Sequence, residues 1–553
     1  MQAENGERFT AGAHAEVASS VNVADGGMFG ILSGGSHSGN VVLSGAASIF
    51  RAEVDSGSAM ESGAISGAGS LVKTGEGTLV LTGANSYSGG TTIEAGILAV
   101  GDGERNGSLG SGPVVNNGVL SFNASGSVSL NSVVSGTGAL VKEGSGVLAV
   151  QKRQTYTGGT TVNAGTLFLI SGGEEGIIRG DLVINRGGAV ALRGVDCFGN
   201  SGNDACVGNV EINGGTLFLN DTRNQTFRNM TVAMAGGMLD SEVVTGKGAM
   251  DVWTDTVFQV RAADRASEIR NINVRLRGGS PTAFVVERGT GASDLNVSGN
   301  IVNFSGAKGA VAKSGNGIMV LSGKNTYSGG TAIQGGTLVA ASNQALGTGQ
   351  TTVHSGGSLV LGGTGADAVA VSLGNNILVK DGGILTGSAT LSGNTTMESG
   401  SIFELTLSIG GSSGDELACN SLMLRSGVFR IDAGAMLKLA ALTIDYSTDF
   451  WNTSHILNFI DGGDNATLTG NFTLDASAAG NYSAYGEWSL QKSEDSKDMN
   501  MVWTPNAAPE VSPALTAAFT ATAPLPVPEP SAAVLMLAAA GAACLRRSVP
   551  RNR

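Results

Sequence analysis

The chain has 553 residues, of which 87 are glycine and only 10 are proline; 14% are charged and 41% are apolar. Abundant glycine without proline excludes a collagen-like triple helix, and the apolar fraction is too high for a disordered chain. The formal charge of −13 disfavours binding to nucleic acid or to an anionic lipid surface, and it favours solubility outside the cell. These values predict a folded, turn-rich, all-β protein.

The first eight residues contain neither a basic segment nor an apolar stretch, so no secretory signal peptide is visible there. The C-terminal residues 527–553 nevertheless predict export. We therefore expect the true start of the protein to lie upstream of Met1.

Three stretches of the chain, residues 66–100, 135–169 and 305–340, align with one another without a gap. Each has a tyrosine 14 residues after a lysine, then a Gly-Gly pair and a later glycine before a leucine. Glycine supplies turns with positive φ, and short strands between such turns stack into a solenoid. The predicted turn glycines are Gly89, Gly90, Gly158, Gly159, Gly329 and Gly330.

Weaker units, each a Gly-Gly turn followed by alternating apolar residues, fill the gaps between the strong copies. We assign residues 1–439 to a β-solenoid with coils of roughly 20–25 residues, stacked about 4.8 Å apart.

The first copy resembles the autotransporter-associated β-strand repeat, which occurs in the passenger parts of bacterial surface proteins. The resemblance implies a right-handed parallel β-helix. The residues that carry it in this copy are Lys73, Gly75, Gly77, Tyr87, Gly89, Gly90, Thr91, Gly96 and Leu98.

We expect the lysines and tyrosines that recur in the three copies to have structural roles. Lys73, Lys142 and Lys313 flank the glycine turns and are expected to keep the solenoid surface solvated. The tyrosines are expected to stack between coils. A sugar-binding ladder of these rings is the alternative, which their unequal separations of 69 and 171 residues disfavour. The three tyrosines are Tyr87, Tyr156 and Tyr327.

Cysteines are sparse, with four in the chain. Cys197 and Cys206 flank a polar loop, and a disulfide between them is one possibility in an oxidising compartment. No CxxC motif or nearby histidine supports a metal site, and none is predicted.

Residues 440–503 contain nine of the 27 aromatic residues. We interpret this segment as a C-terminal β cap, because an open solenoid end invites edge-to-edge association. Ligand binding by the aromatic rings is the alternative. Residues 504–526, rich in proline and alanine, are predicted to form a linker.

The tail, residues 527–553, consists of a Pro-Glu-Pro motif (Pro528, Glu529, Pro530), an apolar run at 532–545 and a basic stop that includes Arg546 and Arg547. This order resembles the PEP-CTERM sorting signal. The resemblance implies processing by an exosortase-type transpeptidase, with transient inner-membrane contact through a short hydrophobic helix. A helical hairpin or a weak tail anchor is the alternative.

The search for catalytic residues is negative, since no P-loop, dinucleotide fingerprint or metalloprotease motif is present, and no cofactor is predicted. The four histidines, each isolated in sequence, are interpreted as surface residues: His14, His37, His354 and His455.

Three functions are considered, of which a cytosolic scaffold is disfavoured because it leaves the tail unexplained. The favoured one is a non-enzymatic surface or extracellular structural or adhesive protein that contacts matrix or surface polysaccharide. The alternative is a β-helical lyase or hydrolase acting on polysaccharides. Such an enzyme needs clustered carboxylates, whereas the acidic residues here are scattered, for example Asp196, Asp251 and Asp255.

Overall fold

The protein is a stack of short strands that pair in parallel from one coil to the next. This computed structural model describes residues 2–3, 7–12, 15–170, 173, 176–200, 207–219, 224–241, 248–253, 255–363, 370–410, 416–440 and 444–507. Leu71 pairs with Thr91, and Leu98 pairs with Leu120, both in parallel register. The prediction of an all-β parallel solenoid is confirmed. The segment Met1–Pro505 forms one compact unit.

The strands fall into stacks that run along the solenoid. A first sheet contains Gln2–Ala3, Val21–Val23, Val41–Leu43 and Ile65–Gly67. The N-terminal sheet contains Arg8–Ala11, Met28–Leu32, Ile49–Glu53, Ser70–Thr74, Thr91–Ile93, Val114–Asn116 and Val134–Ser135. The middle sheet contains Asn224–Phe227, Gly248–Val252, Ile272–Leu276 and Asn300–Asn303.

Two longer stacks continue to the C-terminal end. The central sheet contains Glu16–Val17, Ser36–His37, Ser58–Glu61, Thr78–Leu81, Ile97–Val100, Val119–Phe122, Ala139–Lys142, Thr160–Val162, Gly180–Asn185, Val207–Asn213, Thr231–Ala235, Val257–Val260, Thr282–Val286, Val311–Ser314, Thr331–Ile333, Thr351–Val353, Val371–Leu373, Ile377–Val379, Ala389–Leu391, Thr395–Met397, Leu422–Ile431, His455–Thr469, Gly486–Lys492 and Met499–Pro505. The second long sheet contains Ser127–Leu130, Val147–Val150, Gly165–Ile170, Gly188–Arg193, Thr216–Leu219, Met238–Asp240, Ser267–Ile269, Leu295–Val297, Ile318–Leu321, Gly336–Ala340, Gly357–Leu361, Ile384–Gly387, Ile402–Leu405, Met436–Leu439 and Thr473–Asp475.

The core lies inside the coils because successive side chains of a strand point to opposite faces. In Thr78–Leu81, for example, Leu79 and Leu81 are fully buried, whereas Thr78 and Val80 are half-buried. Burying each such side chain contributes about 1.5–3 kcal/mol. The same alternation repeats from coil to coil, so the buried residues form one continuous apolar core.

Coil length is less uniform than predicted. Hydrogen bonds between neighbouring coils join positions 20 residues apart near Asn85 but 28 apart near Asn209 and 34 apart near Asn394. The estimate of roughly 20–25 residues therefore fails in the middle and last coils. The middle coils carry the additional middle sheet, and a late coil carries an antiparallel hairpin of Leu407–Gly410 and Glu416–Cys419.

The pairing pattern changes at the C-terminal end, within the segment interpreted as a cap. His455–Thr469 pairs in parallel with the last coil through Leu422–Ile431, but antiparallel with Met499–Pro505. Gly486–Lys492 then pairs antiparallel with Met499–Pro505. Two short 3₁₀ helices, Asp449–Asn452 and Ser477–Ala479, complete this region.

Candidate functional site: the repeat core and its turns

Each strong repeat spans two successive coils, which pair in parallel. Lys73 pairs with Ile93 of the same repeat, and Lys142 pairs in the same way with Val162. In the third copy Lys313 pairs with Ile333. The lysine half of each repeat therefore stacks directly on its own second half.

The repeat lysines point into the solenoid. Lys73, Lys142 and Lys313 have 0%, 1% and 0% relative exposure. The expectation that they keep the surface solvated was wrong. Each occupies the inward position of its strand, two residues after a buried apolar side chain, as in Leu71 and Lys73.

The buried ammonium groups are held by backbone carbonyl groups at the turns of two successive coils. Lys73 Nζ donates to the oxygens of Thr74 at 2.8 Å, Gly75 at 2.7 Å and Ala95 at 3.3 Å. Lys142 Nζ donates in the same way to Gly144 and, at 3.1 Å, to Ala164. Burial lowers the pKa of Lys142 and of Lys313 to about 8.

The repeat tyrosines are also fully buried, so a sugar-binding ladder of these rings is excluded. The hydroxyl of Tyr87 lies 2.7 Å from that of Thr91, and the corresponding distance from Tyr327 to Thr331 is 2.6 Å. Tyr156 makes the same contact with Thr160 at 2.6 Å. Burial raises the pKa of Tyr87 to about 12 and raises those of the other two tyrosines as well.

An amide side chain two residues before the tyrosine connects neighbouring coils, a role that the sequence analysis did not assign. Asn85 Oδ1 accepts a hydrogen bond from the backbone N–H of Ile65 at 2.8 Å, and its Nδ2 donates to the Ser108 oxygen at 2.7 Å. Asn325 bridges Ile301 and Ala345 in the same manner. The signal was present in the sequence as an asparagine in two of the three copies.

The Gly-Gly pairs lie at the turns that precede the strands Thr91–Ile93, Thr160–Val162 and Thr331–Ile333. Gly90, Gly159 and Gly330 have φ values of 98°, 81° and 96°, which side chains rarely tolerate. The preceding glycines are needed for another reason: a Cβ atom at Gly89, Gly158 or Gly329 would lie 2.6–2.7 Å from backbone of the previous coil. At the second turn a shallow groove of about 310 Å³ is lined by Gly158, Gly159, Thr160, Gly180 and Asp181, among others.

His37 differs from its expected surface position, because it is buried and paired. Its Nδ1 lies 2.7 Å from Glu61 Oε2, and its Nε2 lies 3.0 Å from the Ser19 carbonyl oxygen. Burial acts to lower the pKa of His37, but the hydrogen bond and charge of Glu61 outweigh it and raise the pKa. His354 and His455 are half-buried, and the His455 ring stacks on Phe450 at 4.1 Å. His14 lies outside the described residues.

The cap aromatics pack mainly on one another. The Trp503 ring lies 5.1–5.3 Å from the rings of Trp451, Trp488 and Tyr446, and all four are buried. Trp503 Nε1 also donates to the Trp451 oxygen at 2.9 Å. These four rings fill the interior of the cap, whereas Tyr485 is 43% exposed, so ligand binding by the remaining aromatic residues stays an untested alternative.

The acidic residues considered for catalysis have structural partners. Asp251 is paired with Arg275 and Arg277, and Asp196 Oδ1 accepts from the Thr226 N–H at 2.8 Å. In the described part of the chain, no group of three or more histidine, cysteine, aspartate or glutamate residues is placed to hold a metal ion.

Several predicted residues lie outside the described ranges. Cys197 is buried with its Sγ 3.5 Å from the Leu169 oxygen, but Cys206 is not described, so their disulfide stays a prediction. The Pro-Glu-Pro motif, the apolar run and the basic stop also lie outside these ranges. Among the described residues, no helix has the length and apolarity required to cross a bilayer.

The architecture is that of a repeat-built parallel β-solenoid whose coils are joined through buried polar side chains. Residues 71–100, 140–167 and 311–340 match the passenger-associated-transport-repeat family. The chain is also 28% identical over 408 residues to the adhesin BmaC autotransporter of Brucella suis biovar 1 (strain 1330). That match covers 62% of this chain and 11% of the relative, so the chain spans about a tenth of that protein's length. The chain thus carries passenger-type repeats of the autotransporter kind.

Proposed function

We propose that this protein is a non-enzymatic extracellular or cell-surface protein that serves as a structural or adhesive solenoid. The observation that carries the proposal is the set of three passenger-type repeats built into one continuous parallel solenoid. Similarity to an autotransporter adhesin over 62% of the chain supports the adhesive role.

The mechanism follows from the buried contacts. The lysine and asparagine side chains hydrogen-bond successive coils inside the repeats, so each coil is held to the next by more than strand pairing. A stack held in this way presents its outward polar side chains at fixed spacing. Many weak contacts at fixed spacing can act together on an extended partner such as matrix or surface polysaccharide.

Adhesion is tested with beads that carry the full chain, exposed to host cells and to isolated extracellular matrix. Beads coated with an unrelated acidic protein serve as the control. The proposal requires retention of the beads above the control. It fails if retention is equal to the control, or if the full chain depolymerises acidic polysaccharides, because that result would identify an enzyme.

We further propose that the tail directs sorting by an exosortase-type transpeptidase, with transient inner-membrane contact through residues 532–545. The support is the sequence order of Pro528, Glu529 and Pro530, the apolar run and the arginines. The test is fractionation of native-host cells that express the chain with or without residues 527–553. An unchanged distribution and an unchanged mass would disprove this proposal.

A further inference from the structure

Four side chains on the middle coils form one column in which guanidinium groups alternate with aromatic rings. The Arg228 guanidinium carbon lies 4.2 Å from the Trp253 ring centroid, and the Arg277 carbon lies 4.6 Å from the same centroid. Arg277 also lies 3.7 Å from the Phe304 ring. We call this set, Arg228, Trp253, Arg277 and Phe304, the arginine column.

The register of the middle sheet produces the column. Phe227, Val252, Leu276 and Asn303 are paired in parallel, and the column residues are the next residue on each coil. Backbone hydrogen bonds continue the pairing to them: Trp253 N donates to the Phe227 oxygen at 3.1 Å and Phe304 N to the Leu276 oxygen at 2.8 Å. Neighbouring column residues are therefore about 4.8 Å apart along the solenoid.

The column has an excess of positive charge. Asp251 is buried beneath it and is paired with Arg275 Nε at 2.5 Å and with Arg277 Nη2 at 3.1 Å. Two guanidinium groups, those of Arg275 and Arg277, therefore share this one carboxylate. Among the described residues, Arg228 makes no ion pair, and three buried nitrogen atoms of the column have no hydrogen-bond acceptor: Arg228 Nε, Arg277 Nε and Trp253 Nε1. The side chains of Arg275 and Arg277 remain 25% and 27% exposed.

This excess is unusual in a chain whose formal charge is −13. Guanidinium groups bind carboxylate and sulfate oxygens through paired hydrogen bonds. Stacking on rings holds these groups in fixed planes, which reduces the side-chain entropy lost on binding. Guanidinium groups flank Trp253, so the column is suited to charged groups rather than to stacking of a neutral sugar.

We propose that the arginine column, together with Arg275, binds an extended acidic polysaccharide through its carboxylate or sulfate groups. Arg228 and Arg277 lie two coils apart, roughly 9–10 Å, and can contact separate charged groups of one chain. The acidic remainder of the protein disfavours a polyanion as dense as nucleic acid. This assignment rests on the proposed surface function and locates one binding site for it.

The test uses the full chain and four immobilised polymers: polygalacturonate, its methyl ester, dextran sulfate and dextran. We expect binding to one or both anionic polymers, and the pattern shows whether carboxylate or sulfate is the preferred group. Arg228→Gln and Arg277→Gln should each weaken that binding by about 10-fold or more, the effect of losing a charge-assisted contact.

Arg193→Ala is the matched control, because Arg193 stacks on the single ring of Phe168 at 3.9 Å and lies outside the column. It should bind like the parent. Arg277→Gln removes a partner of buried Asp251 and can destabilise the fold, so Arg228→Gln, with thermal unfolding unchanged, is the decisive variant.

The site is disproved if Arg228→Gln binds like the parent, if Arg193→Ala loses as much affinity, if the uncharged polymers bind equally well, or if duplex DNA displaces the polysaccharide at lower concentration. Bead adhesion separates the two proposals. Adhesion that persists in Arg228→Gln keeps the adhesive function and rejects this site. Binding through the column without any adhesion by the parent rejects the adhesive function and keeps the site.

Discussion

The Nζ atom of Lys313 lies 2.7 Å from the carbonyl oxygen of Gly335, which is 22 residues further along the chain. The same ammonium group donates to the Gly315 oxygen at 2.8 Å. The neighbouring glycine supplies the space, because a Cβ atom at Gly336 would lie 2.5 Å from Nζ. The position of the Lys313 ammonium group therefore requires a glycine at 336.

Replacing Lys313 with methionine should lower the free energy of unfolding by about 1–3 kcal/mol, since it leaves buried carbonyl oxygens without a donor. Burial of the ammonium group lowers the pKa of Lys313 to about 8, so removing the charge relieves a desolvation cost and offsets part of this loss. The missing hydrogen bonds are not replaced. Chemical denaturation measures the effect. Lys324→Met, at an exposed lysine of the same repeat, is the control and should have little effect. Equal stability of the two variants would contradict the assigned role.

Replacing Gly330 with alanine should lower the thermal midpoint, because the residue has a φ of 96° and its Cβ would lie 2.6 Å from the Gln350 oxygen. Strain of this kind costs on the order of 1–3 kcal/mol. Gly374→Ala is the control, because its Cβ would meet no atom within 4 Å and its φ is not in the positive range. Differential scanning calorimetry should separate the two variants, and identical midpoints would show that the turn adapts.

The repeat tyrosines should remain protonated in the folded protein well above pH 10. The pKa of Tyr87 is raised to about 12, so the contribution to stability is fully present below pH 10 and is lost as the pH rises towards 12. Ultraviolet titration of phenolate should show these tyrosines ionising together with unfolding. Tyr87→Phe should reduce the steepness of this alkaline loss. Ionisation of all six tyrosines near pH 10 in a folded protein would refute the assignment.

The buried pair of His37 and Glu61 should make stability fall as the pH rises above 6.5, the ordinary pKa of histidine. The pKa of His37 is raised above its ordinary 6.5 in the folded state, so the stabilisation is full below pH 6.5 and is lost as the pH passes the folded pKa. Glu61→Gln should bring the His37 pKa down and flatten that dependence. Nuclear magnetic resonance titration of the imidazole measures the shift. An unchanged His37 pKa in the variant would show that Glu61 is not its cause.

The repeat pattern was sufficient to predict the solenoid, because Gly-Gly turns and alternating strands recur at fixed spacing in three copies. It also contained the burial of the lysines, since Leu71 and Lys73 are two residues apart in one strand and must share a face. The burial of the lysines was nevertheless not predicted, because lysine is polar and is rarely fully buried. The arginine column could not be predicted, because Arg228, Trp253 and Arg277 come together only through the register of coils whose lengths vary.

The first repeat and the later two occupy different sides of the solenoid. Lys73 belongs to the N-terminal sheet, whereas Lys142 and Lys313 belong to the central sheet. All three nevertheless keep the same lysine and tyrosine contacts, because these contacts reach no further than the adjacent coils. The repeat motif therefore makes the same contacts whichever side of the solenoid it occupies. Gene duplication can lengthen such a protein by one unit at a time without matching the new unit to the orientation of the old ones.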